Sequence, residues 1–217
     1  MRRANREFSA NDYNRSRDDY AQGWQAIDET LYHLCRDHPH HDHRPWVNAK
    51  ILIIGRTYAT GIERKVPKTG VQGSSISQVA DLFFTHREKI DQCFVRLAKV
   101  SEPLTISNIP EILTIHGLIS KYLTEITRRK QLARSFVSKY LHFHNSAVPI
   151  YDSVATTALR ALVPLRGIRD FQIPSAEHAD PEYANYVRRF AHLYQTIASR
   201  NLSVTVRSLD SFLIWNG

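Results

Sequence analysis

Apolar residues recur at steps of three and four positions along most of the chain. Near the N-terminus, Trp24, Ile27, Leu31 and Leu34 follow this spacing. The same spacing returns in five further segments: residues 47–62, 76–97, 112–126, 132–141 and 183–197. A helix with one buried face has this period, whereas a half-buried strand alternates every second residue. Strand-like pieces such as residues 202–206 are short and isolated, so the pattern predicts an all-α fold of about eight helices.

Start signals place several of these helices. Ser16 is a predicted cap for the first helix, and Pro45 suits the first turn of the next. Asn108 before Ile109-Pro110 predicts a third start, and Asp180-Pro181 predicts another near the C-terminus. The Pro and Gly content of residues 66–75 predicts a loop. We predict a flexible N-terminus over residues 1–16 and one compact, two-lobed all-α domain over residues 17–217, with a cleft near residues 130–163.

The net positive charge of the chain favours some classes of binding partner over others. The 217 residues include 29 Lys and Arg against 21 Asp and Glu, a formal charge of +8. This excess favours a polyanion, with nucleic acid ahead of an anionic membrane, although a generic basic surface explains it as well. The polar N-terminus lacks a signal peptide's apolar core, and no window reaches roughly 18 uninterrupted apolar residues. With only Cys35 and Cys93, the chain is predicted to be a cytoplasmic protein with free thiols.

A histidine-rich segment lies at residues 33–46. Its candidate metal ligands are His33, Cys35, His38, His40, His41 and His43. Tetrahedral zinc sites bring two ligand pairs from separate segments, and no second pair is visible here. We therefore interpret the segment as a polar loop, and predict neither a metal nor another cofactor.

Two basic clusters are candidate contacts for phosphates. Arg56, Arg64 and Lys65 surround Tyr58, whose ring can stack on a base or fill the core. Residues 127–134 form the second cluster, with Arg128, Arg129, Lys130 and Arg134. A solvated run of charge is the alternative interpretation of the second cluster.

Asp152 is the single acid after an apolar passage, SFVSKYLHFHNSAVPIYDS at residues 135–153. A carboxylate before SVATTALRAL caps a helix by accepting backbone N–H bonds. The same place keeps it ionised and partly desolvated beside aromatic side chains, where it can stabilise a cationic transition state or orient a water. Residue types alone leave both interpretations open.

The segment AVPIYDS, residues 147–153, resembles the aspartate segment of the helix-hairpin-helix DNA glycosylases. In that family an aspartate shortly after a Val-Pro pair begins a helix, and a helical hairpin grips the phosphate backbone. The resemblance implies that Asp152 is the catalytic carboxylate. The ending SLDSFLIWNG is similar to the Leu-Asp-x-x-Leu-Trp endings of small bacterial relatives, a looser match.

This chain departs from the family pattern at two places. No glycine occurs between residues 118 and 166, so the predicted hairpin is degenerate and side chains would replace its backbone grip on DNA. At the place of the Schiff-base lysine of bifunctional members stands Ala133, with Lys130 and Lys139 out of register. We expect DNA-backbone contacts from Arg56, Arg64, Arg128, Arg129, Lys130, Arg134 and Lys139.

The resemblance implies a monofunctional DNA glycosylase that flips a base from double-stranded DNA and leaves an abasic site. Expected groups of the base pocket are Tyr151, Tyr58, His142 and His144. The resemblance is strongest to small bacterial anti-phage enzymes that remove modified bases such as glucosylated 5-hydroxymethylcytosine. The alternatives are a repair glycosylase for a damaged base, a non-catalytic nucleic-acid-binding module, and an interaction protein whose charge is incidental.

Overall fold

The computed structural model describes residues 8–68 and 74–217, and this part of the chain contains eleven α-helices and no strand. The helices are α1 Ala10–Gly23, α2 Gln25–Asp37, α3 Arg44–Thr57, α4 Ile62–Lys65, α5 Ser75–Thr85, α6 Arg87–Leu97, α7 Ile109–Leu123, α8 Arg134–His144, α9 Ser153–Leu162, α10 Pro181–Ala198 and α11 Val206–Trp215. Two 3-10 turns lie at Arg128–Lys130 and Leu165–Ile168. The all-α prediction is confirmed.

The count exceeds the predicted eight because periodic segments are interrupted. Residues 76–97 form two helices that break at His86, which is the C-cap of α5 and the N-cap of α6. Similarly, α3 ends at Thr57, and the chain turns through Gly61, with φ of 69°, before the short α4. Apolar periodicity continues across such breaks because both helices bury a face against the same core.

Most predicted helix starts are confirmed. Pro45 lies in the first turn of α3, α7 begins directly after Asn108, and Asp180 caps α10 through the N–H groups of Glu182 and Tyr183. Pro45 and Pro110 have no N–H group, so they leave no donor unpaired in the first turn of α3 and α7. Asp180 accepts from donors of the first turn of α10, whereas the side chain of Asn108 makes no capping bond to α7.

The predicted cap at Ser16 is wrong. Ser9 caps α1 by accepting from the N–H of Asp12, and Ser16 lies buried within the helix, where its hydroxyl donates to Tyr13 O at 2.7 Å. Residues 10–16 of the segment predicted to be flexible are therefore helical. Residues 1–7 of that segment, and residues 69–73 of the predicted loop, lie outside the described residues.

The helices pack in an order that brings the ends of the chain together. Helix α1 packs against α11, which also packs against α9. Helix α8 lies among α2, α3 and α7, and every residue from Phe136 to Phe143 is buried. Across residues 8–68 and 74–217, no helix combines the length and apolar composition needed to cross a membrane.

Candidate functional site

A cavity of about 470 Å³ lies where the two ends of the chain meet the middle. Its walls come from α1, the turn after α3, α8, the segment before α9, and α11. Four aromatic residues line it: Tyr20, Trp24, Tyr58 and Trp215. The charged residues of its walls are Asp19, Lys139, Asp152, Arg207 and Asp210. Both its volume and its mixed lining are typical of small-molecule sites.

Asp152 stands in this cavity as the N-cap of α9. Its Oδ1 accepts from the N–H of Val154 at 2.9 Å, and its Oδ2 accepts from Lys139 Nζ at 2.9 Å. Burial raises the pKa of Asp152, but the Lys139 ammonium and backbone N–H groups at the start of α9 outweigh this effect, so the pKa lies below the ordinary value. With 22% of its side chain exposed, Asp152 is an ionised carboxylate that a ligand can reach.

Lys139 belongs to the cavity, not to the surface predicted for it as a DNA-backbone contact. Only 5% of its side chain is exposed, since α8 is buried on nearly all sides. Besides Asp152, the ammonium donates to the carbonyl of Tyr58 at 2.9 Å. Lys139 thus ties the turn after α3 to the start of α9.

Tyr58 caps the C-terminus of α3 and is half-buried in the cavity wall. Its hydroxyl donates to Asp28, and its ring lies 5.8 Å from Trp24 and 4.9 Å from Phe143. Of the two interpretations of Tyr58, packing against the core is observed; the ring also lines the cavity, and stacking on a base stays a prediction.

Three charged residues, Asp28, Arg207 and Asp210, form a buried network beside the cavity. Asp28 is fully buried on α2 and accepts from Tyr20 Oη at 2.7 Å and from Arg207 Nε at 2.5 Å. Arg207 also donates to Oδ2 of Asp210, three residues further along α11. Burial raises the pKa of Asp210 to about 6, although Arg207 opposes this shift. Paired charges of this kind rigidify a wall that apolar packing alone would leave adaptable.

The structure does not bring His142 and His144 to this cavity. His142 is fully buried: Nδ1 lies 2.8 Å from Val148 O, and Nε2 lies 2.5 Å from Tyr32 Oη. His144 points to another network, with Nε2 3.1 Å from Lys50 Nζ. Burial lowers the pKa of both imidazoles, to about 4 for His142, so both are neutral near pH 7.

Tyr151, also predicted as a pocket residue, turns away from Asp152. Its hydroxyl donates to Glu182 of α10, and its ring lies 5.2 Å from Tyr186. Residues 145–152 connect α8 to α9, and the last four of them have no helical or turn structure. Successive side chains of an extended segment point to opposite sides. Neighbouring Tyr151 and Asp152 consequently face different surroundings.

Five of the seven predicted DNA-backbone residues are exposed, in two surface groups. Arg128, Arg129 and Lys130 are exposed in the turn between α7 and α8, where the latter two have positive φ values of 53° and 55°. Arg56 and Arg64 are exposed beside the turn that lines the cavity, and Arg56 pairs with Glu63 at 3.1 Å. These positions are open to a polyanion.

Arg134 is the exception among these cations. Its Nε lies 2.6 Å from Asp180, and its Nη1 lies 2.9 Å from Glu182. Nevertheless it remains close enough to Arg64 and Lys65 that, after burial, the charges of Arg134 and Arg64 lower the pKa of Lys65. Arg134 both anchors α10 and adds to the positive field beside the turn.

The histidine-rich segment is part helix and part connection, not wholly a loop. His33 and Cys35 belong to α2, and buried His41 links Asp91 at 2.6 Å to Tyr140 at 2.9 Å. Within the described ranges 8–68 and 74–217, no three His, Cys, Asp or Glu side chains are grouped to hold a metal ion.

The chain was compared with models of known families, with curated proteins and with solved structures. Nothing matches. The assignment of function therefore depends on the geometry of the cavity.

Several lining residues escaped the sequence interpretation. Trp24 was assigned to a buried stripe, yet 44% of it is exposed at the cavity, and Trp215 is 43% exposed. Asp210 and Arg207 were not singled out individually. Their spacing of three residues on an amphipathic helix was an available signal, because side chains at i and i+3 lie on one helix face. Nothing local marks Asp28, whose partner Arg207 is 179 positions away.

Proposed function

We propose that the chain is a monofunctional DNA glycosylase that hydrolyses the N-glycosidic bond of a flipped, modified base in double-stranded DNA. The observation that carries this proposal is Asp152: an ionised, partly exposed carboxylate at a helix start in an aromatic-lined cavity. The resemblance of AVPIYDS to the family's aspartate segment selects the same residue.

Asp152 supplies the charge that this reaction needs. As the bond between C1′ and the base nitrogen breaks, its electron pair leaves with the base, and the sugar becomes an oxocarbenium ion. A preorganised carboxylate stabilises this cation at no cost of reorganisation. Water then attacks C1′ and gives a proton to Asp152, which returns it to solvent, while the departing base takes a proton from solvent; the product is an abasic site.

The aromatic residues provide the surface for a base outside the stack. Trp24 and Trp215 are exposed at the cavity, and Tyr20 and Tyr58 lie deeper, so a flipped base can stack on rings while its sugar faces Asp152. Chemistry at C1′ requires this extrusion because the bond is shielded in the duplex.

A second cavity of about 840 Å³ supports a base that carries a polar substituent. It shares Tyr20 and Arg207 with the first cavity, and side chains such as Asn14, Gln25 and Glu29 line it. A hydroxyl-rich group extending from the base would find donors and acceptors there. This arrangement favours glucosylated 5-hydroxymethylcytosine over a small damaged base, which remains the alternative substrate.

The environment of Lys139 favours base removal without strand cutting. A Schiff base requires a neutral amine with a free electron pair. Lys139 is instead engaged in an ion pair with Asp152 and a hydrogen bond to Tyr58 O. Its proposed role is to position and keep ionised the carboxylate of Asp152.

The turn between α7 and α8 is the proposed degenerate helix-hairpin-helix, with the cavity between two lobes. Arg129 and Lys130 adopt the left-handed backbone conformation that glycine usually takes, and all three residues of the turn are exposed cations. In this proposal their side chains hold phosphates in place of a glycine-lined backbone.

Asp152→Asn tests the function. The asparagine oxygen can still cap α9, but the negative charge is lost, so base release should fall by a factor on the order of 10²–10³ while DNA binding persists. The assay is mass spectrometry of bases released from DNA that contains damaged cytosine, 5-hydroxymethylcytosine or its glucosylated form, with unmodified cytosine as the reference. The matched control is Asp170→Asn, the same change at an exposed position outside the cavity.

The outcome separates the proposal from its rivals. Release from damaged bases alone would indicate repair. A wild-type protein that binds DNA but releases no base from any of these substrates would indicate a binding module, and one that does not bind DNA would indicate an interaction protein. Strand cleavage without alkali would contradict the monofunctional mechanism.

A further inference from the structure

One buried oxygen in the cavity wall lacks a hydrogen-bond partner. Asp210 is 0% exposed and lines the cavity, its Oδ2 accepts from Arg207, and its Oδ1 has no partner among the described residues. Folded proteins pair nearly all buried polar atoms, since an unpaired one loses its hydration without compensation. An unpaired buried carboxylate oxygen in a cavity wall is thus a place for a donor from a ligand.

The neighbouring groups do not supply this donor. Arg207 is engaged with Asp28 through Nε and with Oδ2 of Asp210 through Nη1. Lys139, whose charge acts on Asp210, is held by Asp152 and Tyr58 O. Within the described part of the chain, the hydroxyl of Tyr186, whose pKa is raised by burial and by the charge of Asp210, also has no partner, but Tyr186 does not line this cavity. Among the described residues that line it, the unpaired buried side-chain atom is Oδ1 of Asp210, an acceptor.

We propose that Asp210 selects the base by accepting a hydrogen bond from its exocyclic amino group, which makes the cavity specific for cytosine-type over uracil-type bases. This inference rests on the proposed glycosylase function. Cytosine carries a donor, N4–H₂, where uracil and thymine carry an acceptor, O4. An ionised carboxylate has no proton to donate to O4, so a uracil-type base would bring two acceptors together.

The protonation state of Asp210 gives the selection a pH dependence. The charged and titratable groups that face it are Arg207 on its own helix, Asp28 on α2, Lys139 on α8, Asp152 before α9 and Tyr186 on α10. Burial raises the pKa of Asp210 to about 6, so the carboxyl accepts at neutral pH and gains a donor O–H in acid. The preference for an amino group should consequently weaken below that pH.

The test uses free nucleosides, so that binding is separated from catalysis. Trp24 and Trp215 line the cavity and report an occupant by fluorescence quenching. Wild-type protein titrated with 5-hydroxymethyl-2′-deoxycytidine and 5-hydroxymethyl-2′-deoxyuridine should bind the former roughly tenfold more tightly near neutral pH. Asp210→Asn should bind both equally, because an amide can turn either a donor or an acceptor toward the base. Asp170→Asn is the control and should keep the preference.

Equal binding of both nucleosides by the wild type, or an unchanged preference in Asp210→Asn, would overturn the inference. If circular dichroism shows that Asp210→Asn does not fold, the wild type decides: a preference that stays the same about one pH unit below and above 6 also overturns it. Nucleoside selection that depends on Asp210 in a protein that releases no base from DNA would contradict the glycosylase function and leave the inference standing. If the protein releases cytosine-type and uracil-type bases from DNA at equal rates, the glycosylase function stands and the inference about Asp210 is overturned.

Discussion

Lys139 and Asp152 form an ion pair that links two buried elements across the cavity wall. The position of Asp152 as a helix cap was predictable, because an acid after Pro149 and before a helical stripe has few other local arrangements. Its pairing with Lys139 was not, although the two residues are only 13 positions apart. Whether a lysine on a helix points to solvent or inward depends on what packs around that helix.

Lys139→Gln should destabilise the protein in a pH-dependent way. The depressed pKa of Asp152 means that its ionised form stabilises the fold above the ordinary pKa of aspartate, and that this contribution is lost as pH falls through the folded value. Without the ammonium the folded pKa rises and the contribution shrinks. The loss in free energy of unfolding should therefore be largest at neutral pH and smaller in acid.

Urea unfolding of wild type and variant at a series of pH values measures this loss. Lys121→Gln, at an exposed position of α7, is the matched control and should show no such trend. A difference between wild type and Lys139→Gln that is constant across the series would mean that the lysine does not act through the charge of Asp152.

The histidines show the limit of residue-level prediction. His142 and His144 lie two positions apart on α8, and both resembled pocket groups because they stand near Asp152 in sequence. The packing of α8 among three other helices buries them in separate networks, one with Tyr32 and one with Lys50. The partners come from α2 and α3, and nothing in the local sequence identifies them.

At the scale of elements, the residues at which helices start were more predictable from the sequence than the residues at which a periodic segment breaks into two helices. Asn108 and Asp180 mark helix starts through chemistry that lies within a few residues. The break at His86 carries no Pro or Gly, and Ser16 satisfies the composition of a cap while lying inside a helix. The actual cap, Ser9, lies seven residues upstream, about two helical turns.

The turn between α7 and α8 yields a prediction about Arg129. In the left-handed region a side chain costs roughly 1–2 kcal/mol of steric strain. Glycine avoids this strain but loses about 0.5–1 kcal/mol more backbone entropy on folding, so the net advantage of glycine there is about 0.5–1 kcal/mol. Arg129→Gly should raise the free energy of unfolding by this amount and, under the proposed function, reduce the salt dependence of DNA binding by roughly one phosphate contact. Chemical denaturation and binding titrations at several salt concentrations measure the two effects.

Arg129→Gln is the matched variant for this turn. It removes the same charge and keeps a side chain at the same φ of 53°, so it should weaken DNA binding equally without the gain in stability. If the glycine and glutamine variants unfold with the same free energy, the backbone of residue 129 is not strained by its side chain. Unchanged salt dependence in both would remove Arg129 from the proposed DNA surface.

At the scale of the whole molecule, the contact between α1 and α11 completes the cavity. Tyr13 and Phe212 are buried with their ring centroids 5.7 Å apart, and Phe8 lies 5.4 Å from Phe212. The class of fold followed from periodicity, but this pairing did not, because period reveals which face of a helix is buried and never against which partner.

Phe212→Ala should lower the free energy of unfolding by about 3–5 kcal/mol, since it removes a buried ring from a packed aromatic cluster. Chemical denaturation measures the loss, and the emission of Trp215 reports whether α11 stays docked. Phe84→Ala, at a partly exposed ring beside Arg87, is the control and should cost less. A loss no larger than that of the control would show that α1 and α11 are not held together by this cluster.

The indole of Trp215 donates to Asp19 at 2.8 Å, across a separation of 196 positions in the chain. During synthesis Asp152 and the helices around it therefore emerge from the ribosome before α11, which completes the cavity wall. A nascent chain, or one cut short by a nonsense codon, would hold the carboxylate but only part of the aromatic enclosure. Under the proposed function, this order of assembly would keep an enzyme that damages DNA inactive until translation of α11 is complete.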